Sequence, residues 1–503
     1  MQSVISAIAG HAVASSSRTA IHDDRQAMDY AALHAAVLSA SEQLDDTDRT
    51  VFALGLENGV PWVVSDLALL ATGKTCLPLP PFFTPAQQGH AIRNAGAGWL
   101  LTDSPDRYET LLRQQSIPAA RTHDIKLGGT PVARFRLTLP PANLPPGTVK
   151  ITYTSGTTGT PKGVCLSAMA MENVAGALAR ATCMTAADRH LCLLPLSTLL
   201  ENIGGIYAPL LSGASIIPSA GRQDTDASTT ATNYGEELAG MLNRTRATTS
   251  ILIPQMLHAL VAAIESGIPA SETLRFLAVG GARTPSALLT RAASAGIPVF
   301  EGYGLSECAS VVALNTAQAN RPGSVGRPLT SGNIQFAEDG EILVRDNTFL
   351  GHAGDTAINA GAWATGDLGH MDADGFLYVT GRKKNMFITA FGRNVSPEWV
   401  EGELTTQSAI KQAWVHGEAR PWNIAVITAV PNAAAQAIDD AIAAANRNLP
   451  GYAQVQRWFL ADEPFSMQNG ELTANGRMRR SAIAARYATR LDQLYMEHHL
   501  ATA

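Results

Sequence analysis

Through most of the first 300 residues, short apolar segments alternate with stretches whose apolar residues recur at helical spacing. The spacing predicts helices at 31–44, 61–70, 168–181 and 255–265, with buried strands at 51–55, 76–79, 191–194, 250–253 and 276–279. A strand that is apolar throughout must be covered on both faces, and a helix between consecutive strands supplies that cover. The predicted class is therefore α/β, with helix-covered and mostly parallel sheets. In such sheets ligands settle at the carboxyl ends of strands, where Thr154, Gly280 and Glu301 fall. Beyond residue 310 the pattern changes to short strands at 333–336, 341–344 and 376–379. Asp339-Gly340 and Asp374-Gly375 are turn signals between them, which predicts a small antiparallel barrel or sheet over about 311–381. From Arg382-Lys383-Lys384-Asn385 onward about 120 residues remain, including a helix at 434–446, enough for one small α+β domain. The 503 residues are accordingly divided into a large domain, 1–382, and a small one, 383–503. A polar stretch at 223–231 is expected to be a mobile loop.

Composition narrows the function classes. A net charge of -6 gives no basic footprint for nucleic acid, so no such partner is expected. Cys76, Cys165, Cys183, Cys192 and Cys308 are scattered without metal spacing and read as reduced thiols, which with the ordinary soluble composition predicts a cytoplasmic protein. Residues 1–14 are apolar but lack a basic leader, so no secretory signal is expected. No apolar run approaches the roughly 20 residues of a membrane span, which leaves peripheral contact as the one membrane role open.

The run 151–163 reads Ile-Thr-Tyr-Thr-Ser-Gly-Thr-Thr-Gly-Thr-Pro-Lys-Gly. Its glycines permit close backbone approach, its amides and hydroxyls donate hydrogen bonds, and Lys162 adds a mobile positive charge. That chemistry suits a polyphosphate held by Thr154, Ser155, Gly156, Thr157, Thr158, Gly159 and Lys162. It is not a Walker loop, because Pro161 stands where that motif has a glycine and Gly163 where it has Ser or Thr. The following Val164-Cys165-Leu166-Ser167 reads as a strand, so no helix N-terminus cradles the phosphate.

This run resembles the phosphate loop of the adenylate-forming superfamily, which includes acyl-CoA synthetases, luciferases and the adenylation domains of peptide synthetases. Further motifs in the same order carry the resemblance across most of the chain. Gly280-Gly281-Ala282 follows a strand and matches the turn that borders adenine. Glu301-Gly302-Tyr303-Gly304-Leu305-Ser306-Glu307 matches the segment whose tyrosine stacks on adenine, whose Ser or Thr hydroxyl (here Ser306) reaches the phosphate, and whose glutamate binds magnesium. Asp367, in Thr365-Gly366-Asp367, matches the carboxylate that holds both ribose hydroxyls, with Arg382 as its partner. Lys384 matches the hinge about which the small domain rotates between two half-reactions. Gly392 matches the loop that lines the pantetheine tunnel in the second of them. One position departs from the pattern: Arg477 stands where the family has a lysine bridging substrate carboxylate and α-phosphate, and arginine keeps the charge with a different geometry.

The resemblance implies a ligase using ATP, Mg²⁺ and CoA, with Lys162, Ser306, Glu307 and Arg477 as candidate catalytic residues and Glu307 as metal ligand. The wording of the motifs is nearest to bacterial long-chain acyl-CoA synthetases, and the segment 194–205 offers Leu199 and Leu200 where amino-acid-activating members place an aspartate. A medium- or long-chain fatty acid is therefore the expected substrate. Those leucines also suit plain core filling. Alternatives are transfer to the phosphopantetheine of an acyl carrier protein, closure of a β-hydroxy acid to a β-lactone, and, because of Arg477, a catalytically weak nucleotide- and acyl-binding protein. The chain is expected to be a monomer or homodimer.

Overall fold

The computed structural model describes residues 3–45, 50–154, 161–219, 231–355, 361–473 and 477–501, so the expected loop at 223–231 falls almost entirely outside the described residues. The chain divides into two compact units, one of residues 1–282, 291–335 and 343–363, the other of 283–290, 336–342 and 364–503.

The first unit is built on two large sheets. One runs from Arg327–Pro328 through Ala313–Leu314, Val299–Tyr303, Phe276–Val279, Thr249–Leu252, Arg189–Cys192, Ser215–Pro218 and Thr19–His22 to Ala27–Asp29. Val299–Tyr303 to Thr19–His22 are parallel neighbours, and antiparallel strands close both ends. The other contains a parallel core of Lys150–Thr154, Thr75–Pro78, Val51–Gly55 and Trp99–Thr102, flanked by antiparallel strands. The alternating apolar pattern thus produces the sheets it predicts. Its helices form at Tyr30–Gln43, Val60–Ala71, Ala168–Ala181 and Pro254–Glu265. Val60–Ala71 is buried almost all round, from Val60 to Leu69, and a helix with no wet face belongs inside a large core. That core joins Phe52, Leu54, Trp62, Val64, Leu166 and Ile206 in one contiguous cluster.

The antiparallel barrel expected near 311–381 is an open sheet: the described residues form no closed barrel. Ala313–Leu314 and Arg327–Pro328 extend the first large sheet, while Ile334–Phe336, Glu341–Val344, Trp363–Met371 and Leu377–Arg382 pair in that order without closure. Ile334–Phe336 spans 3 residues and exposes Gln335 and Phe336, so it ends the sheet as a short wet edge.

Residues 397–501 form an α+β layer structure around strands Ile410–His416, Asn423–Ala429 and Val455–Leu460. Alternation along Asn423–Ala429 sends Ala425 and Ile427 to one face, under helices Pro397–Thr405 and Ala435–Asn446, and Ile424 and Val426 to the other. There they meet Ile483, Tyr487, Leu491 and Tyr495 of the last helix, Arg480–Ala501. Cys76, Cys165, Cys192 and Cys308 are buried free thiols and Cys183 is exposed. No described helix is long and apolar enough to cross a membrane.

Candidate functional site

In the first unit the strands on either side of the predicted phosphate loop form a hairpin. Lys150–Thr154 pairs antiparallel with Lys162–Leu166, with Lys162 opposite Thr154. Lys162 is exposed and Thr154 partly buried, and Ser155, Gly156, Thr157, Thr158 and Gly159 lie between them, outside the described residues. The hairpin is braced from behind. Tyr153 donates its hydroxyl hydrogen to Asn94 Oδ1 at 2.6 Å, and the His90 ring Nε2 lies 3.1 Å from the Pro161 carbonyl.

Val279 and Glu301 are paired at the carboxyl ends of adjacent parallel strands, which brings the turn at Gly280, Gly281 and Ala282 beside the 301–307 segment. Glu301 is buried, with its side chain accepting from the Gly323 amide at 3.1 Å. Gly302 and Tyr303 continue the strand against Leu314 and Ala313. Gly304 then passes so close to the chain that a Cβ there would stand 1.6 Å from the Ser310 carbonyl oxygen, so only glycine fits. Ser306 and Glu307 lie in the single 3-10 turn Ser306–Cys308, followed by Ala309 at φ 49° and Ser310 at φ 88°. Two consecutive left-handed non-glycine residues cost conformational energy, and such strain collects at functional sites.

The segment 349–353 joins this turn to the hairpin. Phe349 donates its amide to the Glu307 carbonyl at 2.7 Å, Leu350 to Cys165 at 2.8 Å, and Ala353 to Gly163 at 2.8 Å. The hairpin strand that carries Lys162 and the turn that carries Glu307 are therefore held in one hydrogen-bonded frame. The Glu307 side chain is partly exposed at this frame.

The stretch 194–211 splits its leucines. Leu199 is buried in the core, whereas the Leu200 methyl Cδ2 lies 4.0 Å from the Cβ position of Gly280. One leucine fills core and the next borders the turn at Gly280. Asn58 fixes the entry to this stretch, accepting from the Leu196 amide at 2.8 Å and donating to the Leu194 carbonyl at 3.0 Å. Glu201 is fully buried and its oxygens are both engaged, one 3.0 Å from His190 Nε2 and the other accepting from the Leu194 amide at 3.0 Å. Gly205 allows this, since a Cβ there would meet the Glu201 carboxylate. His190 Nε2, Cys192 Sγ and a Glu201 oxygen cluster as three buried groups with metal-ligating atoms. The π-helix Asn202–Tyr207 follows, a geometry that recurs at functional sites. Asn202 and Tyr207 both bond Asp66, which pairs with the buried Lys150 at 2.6 Å.

In the second unit Asp367 and Arg382 are opposite each other on the hairpin Trp363–Met371 and Leu377–Arg382, and Arg382 Nε donates to Asp367 Oδ1 at 2.7 Å. Asp367 is 5% exposed, so its carboxylate is held in one orientation. Lys383 bridges Asp339 at 2.6 Å and Glu341 at 2.9 Å, and these carboxylates raise its pKa. Lys384 is exposed in the turn that follows. Its neighbour Asn385 bonds Glu398 at 2.5 Å, and Arg480 pairs with both Glu398 and Glu401. Gly392, at φ 73°, forms the tip of the small hairpin Phe387–Ile388 and Asn394–Val395. Arg477 is exposed at the end of a separate hairpin, where its carbonyl accepts from the Thr473 amide at 2.7 Å.

The sequence reading missed the 349–353 frame and the networks at Asp66, Glu201 and Glu398. The frame is made by backbone amides and leaves no side-chain signature. A lone acid or base inside an apolar run, such as Asp66 or Lys150, signals a buried pair without naming its partner.

The model of the AMP-binding enzyme family matches residues 9–348, and that of the AMP-binding enzyme C-terminal domain matches 384–499. The long-chain-fatty-acid–CoA ligase FadD15 of Mycobacterium tuberculosis is 27% identical over 86% of this chain and 86% of its own. The 2-succinylbenzoate–CoA ligase of Bacillus subtilis is 26% identical over 80% of this chain and 83% of its own. Among solved structures, the anthranilate CoA ligase AuaEII with anthranoyl-AMP superposes with a TM-score of 0.78 at 19% identity, covering 96% of this chain and 97% of that one. The o-succinylbenzoate coenzyme A synthetase of Bacillus subtilis in complex with ATP and magnesium gives 0.74 at 24% identity, covering 94% and 98%. These two share the fold, and the family models cover most of the sequence. The chain belongs to the AMP-binding enzyme family and is an AMP-forming acid–thiol ligase.

Proposed function

We propose that the chain activates a medium- or long-chain fatty acid with ATP and passes the acyl group to coenzyme A. In the first step a carboxylate oxygen bonds the α-phosphorus and pyrophosphate leaves. In the second the thiol sulfur bonds the acyl carbon, AMP leaves and the thiol gives up its proton. The observation that carries the reading is the 349–353 frame. It holds the Lys162 strand and the Glu307 turn in fixed register, as charge neutralisation of a triphosphate requires.

Within that frame Thr154 and Lys162, with Ser155 to Gly159 between them, would bind the phosphates, joined by the Ser306 hydroxyl. Glu307, partly exposed beside the frame, would hold Mg²⁺, which when bound offsets the phosphate charge. Tyr303 would stack on the adenine edge bordered by Gly280, Gly281, Ala282, Glu301, Gly302 and Gly304. Asp367, oriented by Arg382, would accept from the ribose hydroxyls. Arg477 would grip the carboxylate and α-phosphate in place of a lysine. The functional division at Lys384 is supported by the C-terminal family model, which begins there.

Two observations support an acid without an ammonium group. The charge in the 194–205 stretch, Glu201, is already engaged by His190 and the Leu194 amide, and the residue facing Gly280 is Leu200. An unpaired ammonium buried there would be costly. The relative named for long-chain fatty acids supports the aliphatic choice. Acid-dependent ATP–pyrophosphate exchange across fatty acids, 2-succinylbenzoate and anthranilate tests this. Fatty acids are expected to give the highest kcat/KM. A preference for the aromatic acids would overturn the substrate class, and no exchange with any acid would overturn the activity. Intact-mass detection with CoA and holo acyl carrier protein in competition identifies the acceptor.

A further inference from the structure

The hairpin that presents Gly392 is held by a turn, and that turn is held by the last helix. At its tip Phe391 is 74% exposed and Ile388 is 52% exposed, so the tip is not fixed by packing of its own side chains. Two backbone hydrogen bonds fasten it instead: Ala390 donates to the Arg420 carbonyl at 3.0 Å, and Ala419 donates to the Ile388 carbonyl at 2.8 Å. The Phe387 ring packs so tightly on Gly417 that a Cβ there would stand 2.6 Å from Cε2. The segment 417–420 connects strands Ile410–His416 and Asn423–Ala429 and is itself a tight turn, with Arg420 donating its amide to Gly417 and Ala419 at φ 53°. A turn of that kind keeps its shape only if something outside it holds it.

Asp492 and Tyr495 of the last helix supply the hold. They are three apart and so share one helix face. The Arg420 guanidinium lies 2.5 Å from Asp492 Oδ1 and 4.6 Å over the Tyr495 ring. The buried Tyr495 hydroxyl reaches the carbonyls of His416 and Trp422, each at 3.2 Å, which bracket the turn on both sides. The contacts are ionic, cation–π and hydrogen-bonded around one guanidinium, whose flat face and fork no other side chain reproduces.

We infer that Arg420 is a positioning residue for thioester formation: clamped by Asp492 and Tyr495, it sets where the Gly392 loop stands. The inference rests on the proposed two-step function, with the Gly392 loop taken, as the family resemblance implies, to serve the thiol half-reaction and not adenylation. Its backbone carbonyl fastens the loop and its side chain fastens the turn, so one residue transmits the position of the last helix to Gly392.

The test uses Arg420→Gln, Arg420→Lys and Tyr495→Phe in the full chain. Amide hydrogen exchange at 388–393 is expected to quicken about tenfold in Arg420→Gln, while Val426 in the sheet core keeps its protection. The thioester-forming kcat with CoA is expected to fall about tenfold to a hundredfold, while acid-dependent pyrophosphate exchange stays within about twofold. Arg420→Lys, which keeps the charge but loses the fork, should recover part of the loss. Tyr495→Phe should reproduce it weakly. Unchanged exchange at 388–393, or an equal fall in both half-reactions of a folded variant, would overturn the inference. Wild-type protein that forms no adenylate overturns the functional reading instead, and the hydrogen-exchange arm still decides the clamp.

Discussion

Replacing Asp66 with alanine should be among the most damaging single changes in the first unit. Asp66 is 1% exposed and accepts from Lys150 at 2.6 Å, Asn202 at 2.9 Å and Tyr207 at 2.8 Å. Lys150 is 2% exposed, and its other neighbours include Asn202 Oδ1, the Tyr207 hydroxyl at 3.1 Å, and the Trp62 and Tyr207 rings. None of these carries negative charge, since burial and Asp66 itself drive the Tyr207 pKa up. Asp66→Ala therefore strands an ammonium in the core, which costs about 3–5 kcal/mol. With a urea m-value of about 2–3 kcal/mol/M, the unfolding midpoint of this unit should fall by roughly 1–2.5 M. Tryptophan fluorescence can follow it, because Trp62 lies 5.9 Å from the ammonium. Asp66→Leu with Lys150→Met removes both charges and leaves only neutral groups unmet, chiefly the Asn202 amide and the Tyr207 hydroxyl, at about 1–3 kcal/mol each. The double variant should thus lose at least about 2 kcal/mol less than the sum of the two single variants. Asn202 and Tyr207 are the ends of the π-helix next to Leu199 and Leu200, so the same variant should raise KM for the acid more than KM for ATP. A midpoint shift below about 0.3 M in Asp66→Ala, or strict additivity in the pair, would refute the reasoning.

Three further outcomes follow from the geometry. Asp367→Ala removes a charged acceptor that Arg382 orients, and should raise KM for ATP about tenfold to a hundredfold in steady-state assays; an unchanged KM would place the ribose elsewhere. Arg477→Ala should slow pyrophosphate exchange by about a hundredfold while Arg477→Lys stays within about tenfold of wild type, and full activity in the alanine variant would remove Arg477 from the chemistry. The His416 pKa is pushed down to about 4 by burial, then by Arg420, against a smaller opposing pull from Asp492. Its ring is neutral in the fold and its buried Nδ1 finds no hydrogen-bond partner among the described residues. A depressed histidine contributes stability that is complete above the ordinary value of about 6.5 and is lost as pH falls through about 4. Urea midpoints of the 397–501 region should therefore drop between those values, and His416→Gln should flatten that slope; parallel profiles would refute the assignment.

What could be read from the sequence has a physical boundary. Strands such as Phe276–Val279 and helices such as Ala168–Ala181 were legible because burial imposes a period on side chains, and period survives in sequence. Gly304 is fixed for another reason: the close pass at the Ser310 carbonyl admits glycine alone. Of the barrel or sheet predicted at 311–381 the described residues form the sheet, because Asp339-Gly340 and Asp374-Gly375 specify hairpins, whereas closure depends on strand length and edge pairing, which turn residues do not encode.

The 349–353 frame is a sharper case. It joins Glu307, Cys165 and Gly163 through amides that every residue except proline owns, so no choice of side chain records it. Buried charges lie between these extremes. Asp66, Lys150 and Glu201 each interrupt an apolar run, and the cost of an unpaired buried charge requires a partner. The partner of Asp66 is 84 residues away at Lys150, and that of Glu201 is 11 residues back at His190. Separation of that order is set by how sheets and helices stack, not by local pattern. The charge in the sequence states that a contact exists, and only the fold states with whom. For Glu201 the fold supplies what the local pattern omits: one oxygen meets His190 Nε2 and the other the Leu194 amide inside the core.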